Sequence, residues 1–273
     1  MIAGIAFKTN ALSIDRIRRD LSTNKVGCHL YLFEEVPSTS EVLRTPAKAG
    51  ALEGTVVLAE SQTAGRGRLG KVWYSPPEMN LYASVLFRPS ITPQEVPGFS
   101  FLAGVALADA VKEEGVEPAI KWPNDILVGR RKVAGTLVEC ATVSDRVEYV
   151  ILGVGVNLNV GREALLHVLG EAGKAATSLS AVTGREINRN AFAARFLTLL
   201  DEWYEIYLAR GARVLLDAWR DRDIVTGRRV VVLGERERYE GKALGVGANG
   251  YLMVEDPRGS VRQVVTGEVR LLD

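Results

Sequence analysis

The residues best suited to chemistry form a glycine- and arginine-rich segment, Gly65-Arg66-Gly67-Arg68-Leu69-Gly70-Lys71. Its glycines let backbone N–H groups approach a phosphate closely, and its three basic side chains add positive charge. No acidic residue occurs between Ser61 and Pro77. The segment therefore favours an anionic ligand such as a nucleotide phosphate or an acyl phosphate, and a solvated basic loop is the alternative.

The same segment matches three known glycine-rich motifs, but the context of each motif is missing. A dinucleotide fingerprint needs a helix at the motif and an acidic residue about 20 positions later. Here Pro76 and Pro77 oppose a helix, and residues 85–90 contain no acid. A P-loop needs Ser or Thr where Val72 stands. A kinase loop needs His-Arg-Asp and Asp-Phe-Gly segments, which this sequence lacks.

A second group of polar residues follows a predicted strand, in Lys121-Trp122-Pro123-Asn124-Asp125. Lys132 then begins another strand, in which we expect Lys132, Ala134 and Thr136 to share one face. A lysine on a strand that also contains a glycine can stabilise the charge that builds during acyl transfer. The alternative for Lys132 is a solvated residue at a sheet edge.

Small residues recur on one face of a further strand, at Gly153, Gly155 and Asn157. Glycines inside a strand often mark the close approach of a ligand or of a second backbone. Packing against a helix or across a subunit interface would explain the same pattern. The spacing therefore leaves both explanations open.

Hydrophobic periodicity and turn residues predict the elements that carry these groups. Helices are predicted over 11–21, 38–50, 99–115, 162–172, 190–209 and 211–221, and strands over 30–36, 54–60, 81–87 and in four segments between 119 and 158. Ser38 and Glu41 have the spacing of a capping box. Residues 61–80 are predicted to be an ordered functional loop. After Ile224 the short alternating strands indicate a small barrel or sandwich, with a boundary near 223.

Composition excludes several classes of protein. The 273 residues have a formal net charge of +1, without the basic excess of a dedicated nucleic-acid binder. No apolar run approaches the ~20 residues that span a bilayer, and the N-terminus has no secretory pattern, so we expect a cytoplasmic protein without a membrane partner. Cys28 and Cys140 form no CxxC pair, and no metal-ligand set is predicted.

Four blocks together, in their order and spacing, resemble the biotin protein ligases: Gly65–Pro76, Lys121–Asp125, Lys132–Gly135 and Gly153–Asn157. The resemblance extends from about Phe33 to the C-terminus. It implies a biotin–[acetyl-CoA-carboxylase] ligase, which activates biotin with ATP to biotinyl-5′-AMP. The biotinyl group would then pass to a specific lysine of a biotin carboxyl carrier protein. Biotin is the implied substrate, and ATP and Mg²⁺, with unassigned ligands, are the implied cofactors.

The resemblance also implies roles for individual residues. Lys132 matches the lysine beside the reacting carboxylate and phosphate, and we expect it and Arg68 to be catalytic. The implied biotin-binding set is Ser38, Thr39, Ser40, Gln62, Arg66, Gly67, Arg68 and Lys132. The implied nucleotide-binding set is Trp73, Asn124, Asp125 and Asn157. Ser40 departs from the family pattern, which commonly has Asn at that position.

The fold implied by the resemblance is α+β. A mixed, largely antiparallel sheet would be flanked by helices and followed by a small C-terminal SH3-like β-barrel. The predicted division is a short N-terminal helical segment over 1–29, a catalytic domain over 30–223 and the barrel over 224–273. Family members often dimerise through sheet edges, so a homodimer stays open, with the strand of Gly153–Asn157 near such an edge.

Two other functions stay open. A lipoate or octanoate ligase would have a similar fold and a lysine on a strand, but neutral Ser and Gln side chains suit the ureido ring of biotin better. A biotin-responsive DNA-binding regulator would need a helix-turn-helix domain, and only 32 residues precede Phe33. We therefore expect no nucleic-acid partner.

Overall fold

The computed structural model describes residues 10–234 and 237–272. Its helices are α1 Ile14–Asp20, α2 Thr39–Lys48, α3 Gly98–Glu113, α4 Arg162–Leu169, α5 Glu171–Lys174, α6 Leu179–Thr183, α7 Arg189–Arg210 and α8 Ala212–Arg220. Its strands are β1 His29–Val36, β2 Thr55–Gln62, β3 Leu81–Phe87, β4 Pro118–Lys121, β5 Asp125–Val128, β6 Arg131–Val143, β7 Arg146–Val156, β8 Arg229–Leu233, β9 Arg238–Val246, β10 Leu252–Glu255, β11 Val261–Val264 and β12 Glu268–Leu271.

The first seven strands form one mixed sheet in the order β1-β2-β3-β7-β6-β5-β4. Only the β1–β2 pair is parallel, and the other five pairs are antiparallel. β7, which carries Gly153 and Gly155, lies between β3 and β6. The expectation that this strand lies near a sheet edge is therefore wrong, because β7 pairs on both sides.

Strand alternation divides the side chains of this sheet between two apolar layers. Val150, Leu152, Val154 and Val156 of β7 join the main core, which also contains α3, α7 and α8. Ile151 points to the other face and packs in a smaller cluster beneath α2. Because side chains alternate along a strand, Gly153 and Gly155 lie on the α2 face, beyond the end of that smaller cluster.

The C-terminal strands form an antiparallel sheet in the order β11-β10-β9-β8-β12. No pairing joins β11 to β12 among the described residues, so this sheet is open where a closed barrel was expected. The predicted α+β class, with a mixed sheet flanked by helices and a small C-terminal β unit, is confirmed. The boundary predicted near 223 lies between α8 and β8, and the division into domains stays a prediction.

A buried ion pair fastens the start of α7 to the sheet. Arg189 is fully buried, and one of its terminal nitrogens lies 2.7 Å from Oε2 of Glu60. The two atoms do not meet the angular criteria of a hydrogen bond, so their interaction is mainly electrostatic. The Nε of Arg189 donates to the Asn80 carbonyl at 2.9 Å. Because a buried charge without its partner is costly, Arg189 and Glu60 depend on one another.

Local predictions succeed unevenly. Ser13 caps α1, and its side chain accepts from the backbone N–H of Arg16. Ser38 stands at the N-cap position of α2, but its side chain makes no capping hydrogen bond, so the predicted capping box is wrong. The short helix α6 was not predicted. Of the predicted segment 1–29, residues 1–9 lie outside the described residues.

Candidate active site

All twelve residues predicted to bind or react line one cavity of about 820 Å³. They come from the start of α2, the end of β2 and the loop after it, the β4–β5 turn, β5, β6 and the end of β7. They are Ser38, Thr39, Ser40, Gln62, Arg66, Gly67, Arg68, Trp73, Asn124, Asp125, Lys132 and Asn157. Segments far apart in sequence therefore meet on the α2 face of the sheet.

The glycine- and arginine-rich segment folds into a short hairpin, residues 65–73, which we call the flap. The backbone N–H of Trp73 donates to the Gly65 carbonyl at 2.9 Å, and that of Gly67 donates to Lys71 at 2.7 Å. The chain reverses at Leu69 and Gly70, which both adopt the left-handed region, at φ 55° and 71°. Gly70 adopts this region without strain.

Trp73 closes the base of the flap onto the sheet. A Cβ built on Gly155 would lie 2.3 Å from Cε2 of Trp73, and one built on Gly135 would lie 3.2 Å from its Cζ3. At Gly155 and Gly135 the close approach is therefore made by the side chain of Trp73, which none of the explanations drawn from the spacing had included. The indole Nε1 is buried without a hydrogen-bond partner among the described residues.

Lys132 stands beside this ring. Its Nζ lies 5.1 Å from the Trp73 ring centroid and 2.5 Å from Oδ1 of Asp125. The expectation that Lys132 and Ala134 share a face is wrong: Ala134 faces the core, whereas Lys132 lies against Gly135. An irregularity in the β5–β6 register between these positions is responsible, because a bulge reverses the alternation of side chains.

Neutral hydroxyl and amide groups form a connected network at the α2 end of the cavity. The Thr39 hydroxyl lies 2.8 Å and the Ser40 hydroxyl 2.9 Å from the Ser84 hydroxyl. Gln62 accepts from the Thr39 backbone N–H at 3.0 Å and donates to Ser75 at 2.9 Å. Such a set matches a neutral ligand that has both donors and acceptors.

Contacts with the C-terminal sheet hold the tip of the flap. A terminal nitrogen of Arg68 donates to the Thr266 hydroxyl at 3.0 Å, and Lys71 Nζ lies 2.5 Å from Oε2 of Glu268. Burial lowers the pKa of the Arg68 guanidinium. Burial raises the pKa of Glu268, but hydrogen bonds from Lys71 and Arg270 outweigh it, so the pKa lies below its usual range.

Four more of the predicted residues have polar groups that bind other residues of the protein. Arg66 donates to Glu139 at 3.2 Å. The Asn124 amide donates to the Thr136 carbonyl at 2.5 Å, and that of Asn157 donates to the Thr177 carbonyl at 3.0 Å. Asp125 accepts from Lys132. In this arrangement, therefore, the two asparagines brace the cavity wall.

Two parts of the cavity wall had no role predicted for them from the sequence. Leu165 and Leu169 of α4, followed by Ala172 of α5, give it an apolar side. Their i, i+4, i+7 spacing is the signal that could have identified them. The wall also includes Lys121 and residues 267–271. The resulting cavity combines an apolar side, a neutral polar end and several cations, which suits a molecule with a ring, an alkyl portion and phosphates.

Comparisons with known proteins agree with this chemistry. Residues 32–157 match the model of the biotin/lipoate A/B protein ligase family. A biotin–[acetyl-CoA-carboxylase] ligase from Mycobacterium tuberculosis is 36% identical, over 80% of this chain and 83% of that protein. The bifunctional ligase/repressor BirA of Bacillus subtilis is 33% identical, over 97% of this chain and 80% of that protein.

Solved structures show the same fold. The biotin protein ligase of Aquifex aeolicus, solved in complex with biotin and ATP, has a TM-score of 0.73 and 27% identity to this chain. The match covers 89% of this chain and 98% of that protein. Among the described residues, no helix has both the length and the apolar character to cross a bilayer.

Proposed function

Because the chain belongs to the biotin protein ligase family, we infer that it joins biotin to a carrier protein at the expense of ATP. In the first step a biotin carboxylate oxygen attacks the α-phosphorus of ATP, and the bond from that phosphorus to pyrophosphate breaks. In the second step a lysine amine of a biotin carboxyl carrier protein attacks the biotinyl carbonyl, AMP leaves, and the amine loses a proton. The reaction is that of a biotin–[acetyl-CoA-carboxylase] ligase.

The observation that carries this proposal is the meeting of the flap and Lys132 in one cavity. A carboxylate and a triphosphate repel one another, so cations must stand where they meet. We assign that role to Lys132, which lies within the cavity beside Trp73, and to Arg68 at the flap tip. Flap residues also line the cavity, and a flap ordered over the intermediate would keep water from the mixed anhydride.

We assign the neutral network to the ureido ring of biotin. Ser38, Thr39, Ser40 and Gln62 offer hydroxyl and amide groups and no charge, as a neutral ring with N–H and C=O groups requires. Because Ser38 makes no capping bond, its hydroxyl remains for the ligand. Arg66 and Gly67, together with Arg68 and Lys132, complete the proposed biotin-binding set. Arg66 must exchange its bond to Glu139 for a contact with the ligand.

The nucleotide set proposed is Trp73, Asn124, Asp125 and Asn157, with the apolar side of α4 and α5 beside them. Mg²⁺ is usually held by one or two carboxylates together with phosphates and waters. Among the described residues no cluster of three metal-ligating side chains occurs, so we propose that Mg²⁺ arrives on ATP. Asp125 is the carboxylate that would share it, and the ion would neutralise phosphate charge.

We also propose that two copies pair through β6. β5 pairs with β6 over residues 131–135, and Thr136 is bonded to Asn124. In the part of the chain that the structure describes, residues 137–143 therefore have one neighbouring strand, β7. A free strand edge is a ready surface for pairing with another chain. Sedimentation of the purified protein would show a dimer. Ala141→Pro, in the part of β6 whose described neighbour is β7 alone, should shift it towards monomer.

Mass spectrometry of a complete reaction tests the proposed function. Protein, biotin, Mg²⁺ and ATP should yield biotinyl-AMP, and an added carrier domain should gain the mass of one biotinyl group. Omitting ATP should abolish both products. If octanoate or lipoate were preferred over biotin in a mixture, the lipoate ligase alternative would replace this proposal, and the absence of any adenylate would refute it.

A further inference from the structure

Lys121 is a cation of the cavity wall to which no role is yet assigned. It is the last residue of β4, and its register partner across the β4–β5 pair is Asp125. The β4–β5 turn therefore presents Lys121 and Asp125 side by side to the cavity. Burial lowers the pKa of its ammonium group, and Asp125 and Glu268 only partly oppose that effect.

The carboxylates nearest to Lys121 are already paired with other cations. Asp125 Oδ1 lies 2.5 Å from Lys132 Nζ. Glu268 accepts from Lys71 at 2.5 Å and from Arg270 at 3.0 Å. Among residues 10–234 and 237–272, no carboxylate lies within the 4.0 Å ion-pair distance of the Lys121 ammonium.

A partly buried ammonium group without a counter-ion destabilises a folded protein. The surroundings do not relieve that cost, because the cavity wall carries seven basic side chains and three carboxylates. The unbalanced charge therefore indicates a site prepared for an anion that the protein itself does not supply. This step rests on the proposed function, in which the anion is part of one of the two small substrates. Of these, the triphosphate of ATP carries more negative charge than the carboxylate of biotin.

The position of Lys121 selects one part of that triphosphate. Lys132 is assigned to the junction of the carboxylate and the α-phosphate. Lys121 lies across Asp125 from Lys132, on β4, at the edge of the sheet. Phosphates that extended from the junction towards β4 would be the β- and γ-phosphates.

We propose that the Lys121 ammonium group binds the pyrophosphate portion of ATP and stabilises the charge that develops on it as it leaves. When the bond between the α-phosphorus and the bridging oxygen breaks, the electron pair goes to that oxygen. Lys121 keeps its proton throughout and acts by charge and hydrogen bonding. It touches the leaving group, and is a catalytic residue of the first step only.

The test compares Lys121→Met, which removes the charge, with Lys121→Arg, which keeps it, and with Lys112→Met, which removes an exposed lysine of α3. Calorimetry measures the Kd of pyrophosphate, and steady-state kinetics give kcat and the KM for ATP in adenylate formation. A third assay supplies presynthesised biotinyl-AMP and measures transfer to the carrier domain. Thermal unfolding of each variant reports on the fold.

For Lys121→Met we expect pyrophosphate binding to weaken by about 10- to 100-fold, as for the loss of a hydrogen bond to a charged group. The KM for ATP should rise, kcat for adenylate formation should fall, and transfer from presynthesised adenylate should stay within twofold. Lys121→Arg should recover most of the pyrophosphate affinity. The Tm of Lys121→Met should be unchanged or higher, because an uncompensated charge is removed.

Two results would overturn this role. One is pyrophosphate affinity within twofold of the unmodified protein in Lys121→Met. The other is an equal loss in adenylate formation and transfer, accompanied by a lower Tm, which would indicate a structural role. If the unmodified protein made no adenylate at all, the proposed function would fail, and the pyrophosphate Kd values would still decide whether Lys121 binds this anion.

Discussion

The contact between Trp73 and Gly155 predicts the effect of a single added methyl group. Gly155 is not among the glycines with positive φ, so the backbone of β7 accepts alanine without strain. The new Cβ would lie 2.3 Å from Cε2 and 2.5 Å from Nε1 of Trp73. Ordinary contacts begin at 3.4 Å, so the ring reaches an ordinary contact with the new Cβ by moving about 1.1 Å, the difference between 3.4 and 2.3 Å.

Moving Trp73 also moves the flap and displaces Arg68, to which we assign a role beside the reacting groups. A displacement of about 1 Å in an active site costs roughly 10²-fold in rate. We therefore expect kcat/KM for biotin in adenylate formation to fall by about 100-fold in Gly155→Ala, a loss of about 2.7 kcal/mol in transition-state stabilisation. The free energy of unfolding should fall by less than the roughly 1–3 kcal/mol of overpacking a rigid core, because a loop can yield.

Pyrophosphate release at varied biotin concentration measures the rate, and urea unfolding measures the stability. Gly98→Ala is the matched control, because a Cβ there meets no atom within 4 Å. Its rate should equal that of the unmodified protein. Full activity in Gly155→Ala would refute the reasoning, as would an equal loss in the control or a large loss of stability with unchanged rate.

Three further outcomes concern charged residues. Lys132→Ala should slow adenylate formation by on the order of 10²–10³-fold, the cost of removing one electrostatic stabiliser; a near-normal rate of pyrophosphate release would move this role elsewhere. Arg68→Gly should loosen the flap and release the reactive adenylate, measured as biotin on the lysines of added serum albumin; tight retention would contradict the proposed cover. Arg189→Met should lower the free energy of unfolding by about 3–5 kcal/mol, because it leaves the largely buried Glu60 carboxylate without its ion-pair partner. Arg213→Met, at an exposed position, is the control and should change the urea midpoint little. Equal midpoint shifts in the two variants would argue against a stabilising role for the Arg189–Glu60 pair.

Sequence patterns predicted which residues the fold brings together better than they predicted the local geometry around those residues. The twelve site residues were predicted because their types and order resemble a family, and one cavity brings them together, while their individual roles stay proposals. Hydrophobic periodicity likewise located α3 and α7, whose buried positions are numerous. Patterns that extend over many residues, such as periodicity and motif order, are therefore enough to predict the helices and strands and which residues lie near one another.

The features that were missed depend on contacts between distant segments. The sequence around Lys132 gives no sign of the register irregularity that turns Ala134 away from the cavity, since a bulge depends on the partner strand β5. The absence of a capping bond at Ser38 could not be predicted either, because the pattern S-x-x-E does not show whether the hydroxyl is oriented towards the helix backbone. Lys121 belongs to a segment that the sequence singled out, but it received no role of its own, because its significance lies in which carboxylates are already paired.

The central claim is that the flap and Lys132 enclose biotin while its carboxylate is joined to AMP. A crystal structure with a non-hydrolysable sulfamoyl analogue of biotinyl-AMP tests it most directly. The analogue's linkage should lie within hydrogen-bond distance of Lys132 Nζ, beneath an ordered flap, with the ureido ring against Ser38, Thr39 and Gln62. A linkage bound away from Lys132, or a ring outside the neutral network, would contradict the account.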